Sequence, residues 1–393
     1  VHVRETTIDP TKNTVKLSSR ALLKTLAISN YRSLRDFVMP LGPLNLITGP
    51  NGSGKSNVYR ALRLLADTAN GSVVGSLARE GGISSTLWAG PATQRKDPVA
   101  LRLGFHAEEF SYAIDLGLPK PSESAFSLDP EIKNESIWHG AQLRPATLLV
   151  ERRNGLVRIR RDNGEWDIVE SNLQPFESMM ERIADPHRAA EVTSLRDQIR
   201  SWRFYDHFRT DVEAPARQVQ IGTYTPVLAH DGRDLAAAMQ TIREIGDAAA
   251  LNHAISDAFP GAELEIGGRD GRLSVGLRQE GLLRPLAVGE LSDGTLRYLL
   301  WSAALLTPRP PQLMVLNEPE SSLHPDLLPA LARLIGVAAK QTQVWVVSHA
   351  SRLIAALKES EECQSIELEK EIGETVVLGQ GALDRPAWKW PAR

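Results

Sequence analysis

The stretch Gly49-Pro50-Asn51-Gly52-Ser53-Gly54-Lys55-Ser56 matches the pattern G-x-x-x-x-G-K-[ST] at every fixed position. Glycines at 49, 52 and 54 let the backbone bend tightly and aim its N–H groups at one anionic ligand. The Lys55 ammonium suits the β- and γ-phosphates of a nucleoside triphosphate, and the Ser56 hydroxyl suits Mg²⁺. The flanks agree with this chemistry. Leu44-Asn45-Leu46-Ile47-Thr48 reads as a short buried strand, and Val58, Ala61, Leu62 and Leu65 recur at helical spacing. A helix starting at the loop adds the partial positive charge of its N-terminus. A nucleoside triphosphate with Mg²⁺ is the expected ligand; which nucleotide it is, the loop alone leaves open.

Further along, polar groups stand directly behind apolar strands. Leu313-Met314-Val315-Leu316 is followed by Asn317-Glu318-Pro319-Glu320, and Val344-Trp345-Val346-Val347 is followed by Ser348-His349. Carboxylates after a buried strand are costly unless they stay solvated or have a task. Glu318 is the candidate for polarising a water, Asn317 for the Mg²⁺ shell, and His349 for a hydrogen bond to a γ-phosphate. Leu291-Ser292-Asp293-Gly294-Thr295 leads into an apolar helix over 296–306. Ser292 and Gly294 offer a hydroxyl and N–H groups to a phosphate; alternatively, Ser292 or Asp293 only caps the helix. Tyr31 and Arg32 precede the phosphate-loop strand and are candidates for the nucleotide's rim, with core packing as the alternative for the tyrosine. Tyr205-Asp206-His207 and Asp211 form a last cluster. On a helix His207 and Asp211 share a face, which fits a surface ion pair better than a metal site, and no nuclease activity is assigned to it.

The elements that must position these groups fall into two α/β segments around a mixed one. Residues 1–21 are a polar extension. The first segment, 22–118, opens with a strand at 22–28 and ends with paired strands near 99–105 and 110–116. Pro119-Lys120-Pro121-Ser122 marks a boundary. In the α+β insert, 119–285, strands at 148–152, 156–160 and 165–169 alternate with Asn154-Gly155 and Asn163-Gly164, both turn signals. Helices are expected over 175–205, broken at Asp185-Pro186, and from Leu235 to Ile242. A hairpin turns at Arg269-Asp270-Gly271. The second α/β segment, 286–393, holds the strands at 313–316 and 344–347 and a helix from Leu327 to Ala338.

The chain has 393 residues, ample for a sizeable core. Its 45 basic and 48 acidic side chains nearly cancel, to −3, so any nucleic-acid surface must be local. Cys363 is the single cysteine, which excludes an internal disulfide and suits a reducing compartment. The first residues carry no apolar signal core, and the longest apolar-rich run, 299–306, is too short to cross a bilayer. A cytoplasmic protein without membrane contact is expected.

Taken in order, the phosphate loop, the 291–295 loop, the strand ending in Glu318, Ser321-Ser322-Leu323-His324-Pro325 and His349 resemble the ATP-binding-cassette class of ATPases. Ile28-Ser29-Asn30-Tyr31-Arg32-Ser33-Leu34, Asn317-Glu318-Pro319-Glu320 and the Ser-Leu-His-Pro run are similar to its RecF, SMC and OLD group. The resemblance covers both α/β segments and leaves out the insert. It implies an α/β fold, a P-loop NTPase of the ABC-ATPase head type with a mixed insert between two half-lobes. It also implies an ATP-dependent homodimer: Ser56 and Asn317 hold Mg²⁺ on one subunit, while Ser292 and Gly294 reach the nucleotide of the other. In that arrangement Glu318 activates water, Ser322 crosses the interface and His349 senses the γ-phosphate. The sequence departs from the group at Asn317, where an aspartate is usual, and Gln94 lies only roughly where a lid-loop glutamine is expected. The insert is too short for SMC arms, and no OLD-type nuclease domain is expected after His349.

Three functions fit these motifs. The first is a RecF-like ATPase acting on DNA, in repair (double-strand breaks included) or in defence against foreign DNA. The second is a regulatory ATPase working through protein partners without DNA. The third, a transporter's ATP-binding subunit, fits poorly with the large insert. Arg152, Arg153, Arg158, Arg160 and Arg161 cluster in the insert, yet Glu151, Asp162, Glu165 and Asp167 are interleaved with them, as on a solvated mixed-charge sheet.

Overall fold

The apolar runs that end at the candidate residues lie in the middle of the molecule. A computed structural model describes residues 22–90, 100–119, 123–126, 128–381 and 383–392; the polar extension and Gln94 lie outside them. In chain order the strands are β1 (Leu23–Tyr31), β2 (Leu34–Pro40), β3 (Leu44–Thr48), β4 (Leu101–Ala107), β5 (Phe110–Gly117), β6 (Glu131–His139), β7 (Leu148–Arg153), β8 (Leu156–Arg160) and β9 (Trp166–Glu170). They continue with β10 (Arg203–Tyr205), β11 (Gln220–Ile221), β12 (Glu263–Arg269), β13 (Arg272–Arg278), β14 (Leu286–Ala287), β15 (Leu313–Asn317), β16 (Gln343–Val347), β17 (Cys363–Glu371) and β18 (Glu374–Val377). The helices are α1 (Lys55–Ala69), α2 (Val73–Arg79), α3 (Ile83–Thr86), α4 (Met179–Arg182), α5 (Ala190–Ser201), α6 (Leu235–Ile245), α7 (Ala248–Ala258), α8 (Asp293–Leu305), α9 (Leu328–Ala339) and α10 (Ser351–Lys358).

One sheet runs β10-β15-β16-β3-β17-β18, parallel except where β18 turns back on β17. Its strands β3 and β16 are buried throughout, and β15 as far as Leu316. Successive side chains point to opposite faces, so each strand feeds two cores. Ile47, Val315 and Trp345 enter a core shared with α1, α5 and the strands of a second sheet. Leu46, Leu316 and Val346 enter one shared with α6 to α10. Burial on both faces is why these strands read as continuous apolar runs.

The second sheet is antiparallel and eight-stranded, in the order β2-β1-β4-β5-β6-β7-β8-β9. It passes over residue 119, where composition suggested a boundary: β5, before that residue, pairs with β6, after it. A third, smaller sheet joins β11, β12, β13 and β14, and packs Leu264, Val275 and Leu277 into the core of α6 to α10. The meander of β7, β8 and β9 follows the turn signals, with Asn154 and Gly164 at φ 52° and 85°.

Residues 175–205 depart from expectation. Helices α4 and α5 flank the Asp185-Pro186 break, but Arg203–Tyr205 is extended because it pairs with Met314–Leu316 of β15. The backbone over 206–214 is not helical, so His207 and Asp211 share no helix face. His207 instead lies against the Arg297 guanidinium at 3.3 Å, and Asp211 pairs with Arg209 at 2.7 Å. Among the described residues no group of three or more His, Cys, Asp or Glu is placed to hold a metal ion. Among the same residues no helix is long and apolar enough to cross a membrane.

Candidate active site

Three neighbouring parallel strands deliver the site. In register, Asn317 of β15 stands beside Val347 of β16, and Val347 beside Ile47 of β3. Each strand therefore hands its next residues to the same edge: the phosphate loop after β3, Asn317 to Glu320 at the end of β15, Ser348 and His349 after β16. Ligands of open α/β sheets sit at such C-terminal strand ends. Backbone bonds lock the edge, Glu318 N–H to the Val347 carbonyl at 2.8 Å and Ser348 N–H to that of Ile47 at 3.2 Å.

Helix α1 starts at Lys55 behind Gly54, which offers no side-chain cap. The N–H groups of Asn57 and Val58 donate to the Gly54 carbonyl, at 2.9 and 3.1 Å, and those of Lys55 and Ser56, which the helix cannot bond internally, point to a ligand. Gly49 and Gly54 stand at φ 144° and 109°. A Cβ at Gly49 would strike the Leu368 carbonyl, and one at Gly54 the Thr375 side chain, so only glycine fits between the loop and the β17–β18 hairpin. Lys55 is buried, its Nζ donating to the carbonyls of Gly49 (2.7 Å) and Pro50 (3.0 Å). Ser56, Asn51 and Gly52 are exposed at the mouth. The Ser53 hydroxyl is buried, with no partner among the described residues. Uncapped N–H groups, a glycine cradle, a lysine folded over it and an exposed Ser56 fit a triphosphate with Mg²⁺.

The loop after β15 is more structured than its sequence shows. Glu318 is exposed and stands at φ 49°. Glu320 is buried, and its Oε1 accepts from Ser348 Oγ at 2.7 Å and from the N–H groups of His349 (2.9 Å) and Ala350 (3.2 Å). His349 Nδ1 lies 3.4 Å from Glu320 and 3.9 Å from Glu318. From the other side Trp301 Nε1 donates to the Pro319 carbonyl at 3.0 Å, and Arg297 to that of Ser321 at 2.9 Å. Burial pulls the Arg297 pKa below its ordinary value; burial and then Arg297 do the same to His207.

Ser292 caps α8, accepting from Thr295 N–H at 3.1 Å, and is exposed. Gly294 lies so close to Ser322 that a Cβ would come within 3.3 Å of its carbonyl oxygen. Among the described residues no hydrogen bond or ion pair joins this loop to its own phosphate loop. Arg32 pairs with Glu80, NH2 to Oε2 at 2.6 Å, and burial, then Glu80, raises the pKa of the adjacent Tyr31. The residue that links this turn to the phosphate loop is Ser33. Its hydroxyl meets Thr375 Oγ1 at 2.7 Å and accepts from Asn57 at 2.8 Å, and Thr375 donates to the Ser53 carbonyl at 2.7 Å. Ser348 could have been suspected from its place before His349; nothing local marks Thr375.

Residues 44–355 match the family described as "AAA domain, putative AbiEii toxin, Type IV TA system". An OLD nuclease of Thermus scotoductus is 50% identical over 44 residues, which is 11% of this chain and 8% of that protein's length. An SMC head bound to the C-terminal winged-helix domain of ScpA is similar over 91% of this chain and 97% of its own, with 14% identity and a TM-score of 0.49. The SMC head of Thermotoga maritima is similar over 92% and 100%, with 17% identity and a TM-score of 0.42. The family match begins with the first residue of β3 and closes inside α10, so it takes in the phosphate loop, the end of β15 and His349 alike, and the chain belongs to this AAA family.

Proposed function

We propose that the protein binds and hydrolyses ATP at an interface between two copies of itself and couples this cycle to DNA. The observation that carries the ATPase reading is the convergence of the phosphate loop, Asn317-Glu318 and Ser348-His349 on adjacent parallel strand ends. Lys55 and the N–H groups of α1's first turn would hold the β- and γ-phosphates. Ser56 directly, and Asn317 through a water, would hold Mg²⁺, whose charge offsets that of the phosphates. Glu318 would take the proton of the attacking water as its oxygen bonds to the γ-phosphorus and the bond to ADP breaks. His349 would bind the γ-phosphate oxygens. Ser292, exposed, and Gly294, half-buried beside Ser322, would complete the site of the partner copy, and Arg32 would lie at the rim. The half-lobes would be 22–118 and 286–393. The test is ATP binding by wild type and Lys55→Ala. Affinity should be lost with the melting temperature kept; equal affinity in a folded variant removes the reading.

One observation favours the second reading, an ATPase that acts through protein partners. Arg153 and Arg158 both pair with Glu151, Arg161 with Asp167, and Arg160 bonds the Pro145 and Ala146 carbonyls. These charges are engaged within the sheet. DNA-stimulated turnover whose DNA affinity falls steeply with salt supports DNA coupling; turnover indifferent to single-stranded, duplex and nicked DNA supports the protein-partner reading.

A further inference from the structure

Two carboxylates follow β15, and they are placed for different work. The Glu318 side chain is 48% exposed, that of Glu320 only 6%. A buried carboxylate is tolerated where donors replace its water, and all three donors to Glu320 Oε1 come from the Ser348-His349-Ala350 turn behind β16. The loop bearing Glu320 is itself anchored, by Trp301 at Pro319, by Arg297 at Ser321 and by the Val347 carbonyl at Glu318. Glu320 is therefore the fixed partner and the turn with His349 the part it holds. The same oxygen faces His349 Nδ1 at 3.4 Å.

We infer that Glu320 is a positioning residue for His349. It holds the 348–350 turn and orients the ring, keeping the neutral imidazole's proton on Nδ1, toward the carboxylates, so that Nε2 is the nitrogen that faces a ligand and donates to phosphate oxygens once the ring has taken a second proton from water. This inference rests on the ATPase reading for its catalytic consequence but not for its geometry.

The experiment has two arms on the full chain. In nucleotide-free protein labelled with ¹⁵N-histidine, at a pH where the ring is neutral, the resonance lost in His349→Gln should show the Nδ1–H tautomer. Glu320→Ala should return it to Nε2–H. An Nε2–H tautomer in wild type overturns the inference. In the second arm, Glu320→Ala should lower kcat at least about tenfold with KM for ATP nearly unchanged, and Glu320→Ala/His349→Ala should be no slower than His349→Ala alone. Multiplying effects overturn the inference. If Glu320→Ala does not fold, Glu320→Gln, of the same shape, should keep the tautomer but lower kcat several-fold; an unchanged kcat overturns it. Wild type that neither binds nor hydrolyses ATP removes the ATPase reading, while the tautomer still decides whether Glu320 holds His349.

Discussion

Asn317 ends β15 with a neutral amide, one residue before exposed Glu318 and three before buried Glu320. An amide oxygen accepts a hydrogen bond from a metal-bound water but brings no charge. Mg²⁺ sites ordinarily rely on one or two carboxylates, so a high Mg²⁺ requirement and slow turnover are expected. Asn317→Asp should lower the Mg²⁺ concentration for half-maximal ATPase several-fold, read from a steady-state Mg²⁺ titration of both proteins. If the natural form saturates at lower Mg²⁺, the site is tuned around the amide and the charge argument fails. Glu318 and Ser322 stand at φ 49° and 61°, a conformation that costs a side-chain-bearing residue about 1–3 kcal/mol. That strain persists because the loop is pinned at Glu318, Pro319 and Ser321, and it leaves the Glu318 carboxylate in solvent.

At the scale of elements, the β17–β18 hairpin supports the phosphate loop from behind. β17 pairs with β3 along Leu44 to Thr48, and β18 brings Thr375 against Gly54 and between Ser33 and Ser53. Thr375→Val keeps the shape and removes the hydroxyl, leaving the Ser53 carbonyl and Ser33 hydroxyl without this partner. Unsatisfied buried groups of this kind cost about 1–3 kcal/mol. The variant should melt at lower temperature and bind ATP more weakly, with Thr375→Ser recovering most of both. Thermal unfolding with and without ATP reads the two effects, and a variant equal to wild type in both would show that the hairpin only neighbours the loop. Helix α8 is buried from Leu296 to Leu305. Through Arg297 and Trp301 it ties its N-terminal turn, where Ser292 and Asp293 are exposed, to the loop of Glu318.

For the whole molecule, the parallel sheet divides two cores and carries the site at one edge. Ser292, Ser322 and the mouth of the phosphate loop are exposed, which suits a site completed by a second copy. ATP should drive dimerisation, most visibly in Glu318→Gln, where hydrolysis should be blocked and the nucleotide should stay bound. Sedimentation of that variant at saturating ATP should show a dimer that dissociates when ATP is removed; a monomer under those conditions counts against the shared site.

Local pattern carried a great deal. The phosphate loop lies in eight consecutive residues, and its chemistry follows from backbone freedom, one ammonium and one hydroxyl. The strands before Asn317 and Ser348 were legible because burial on both faces leaves only apolar side chains, and the meander because its turns need left-handed residues. What the sequence could not carry is pairing across distance. Arg203–Tyr205 became a strand because β15 had an open edge, and the antiparallel sheet crosses residue 119 because β6 completes β5. Thr375 meets Ser33 across 342 positions and Glu320 meets His349 across 29. Periodicity records which face of an element is buried; which distant residue stands against it is decided only when the sheets assemble.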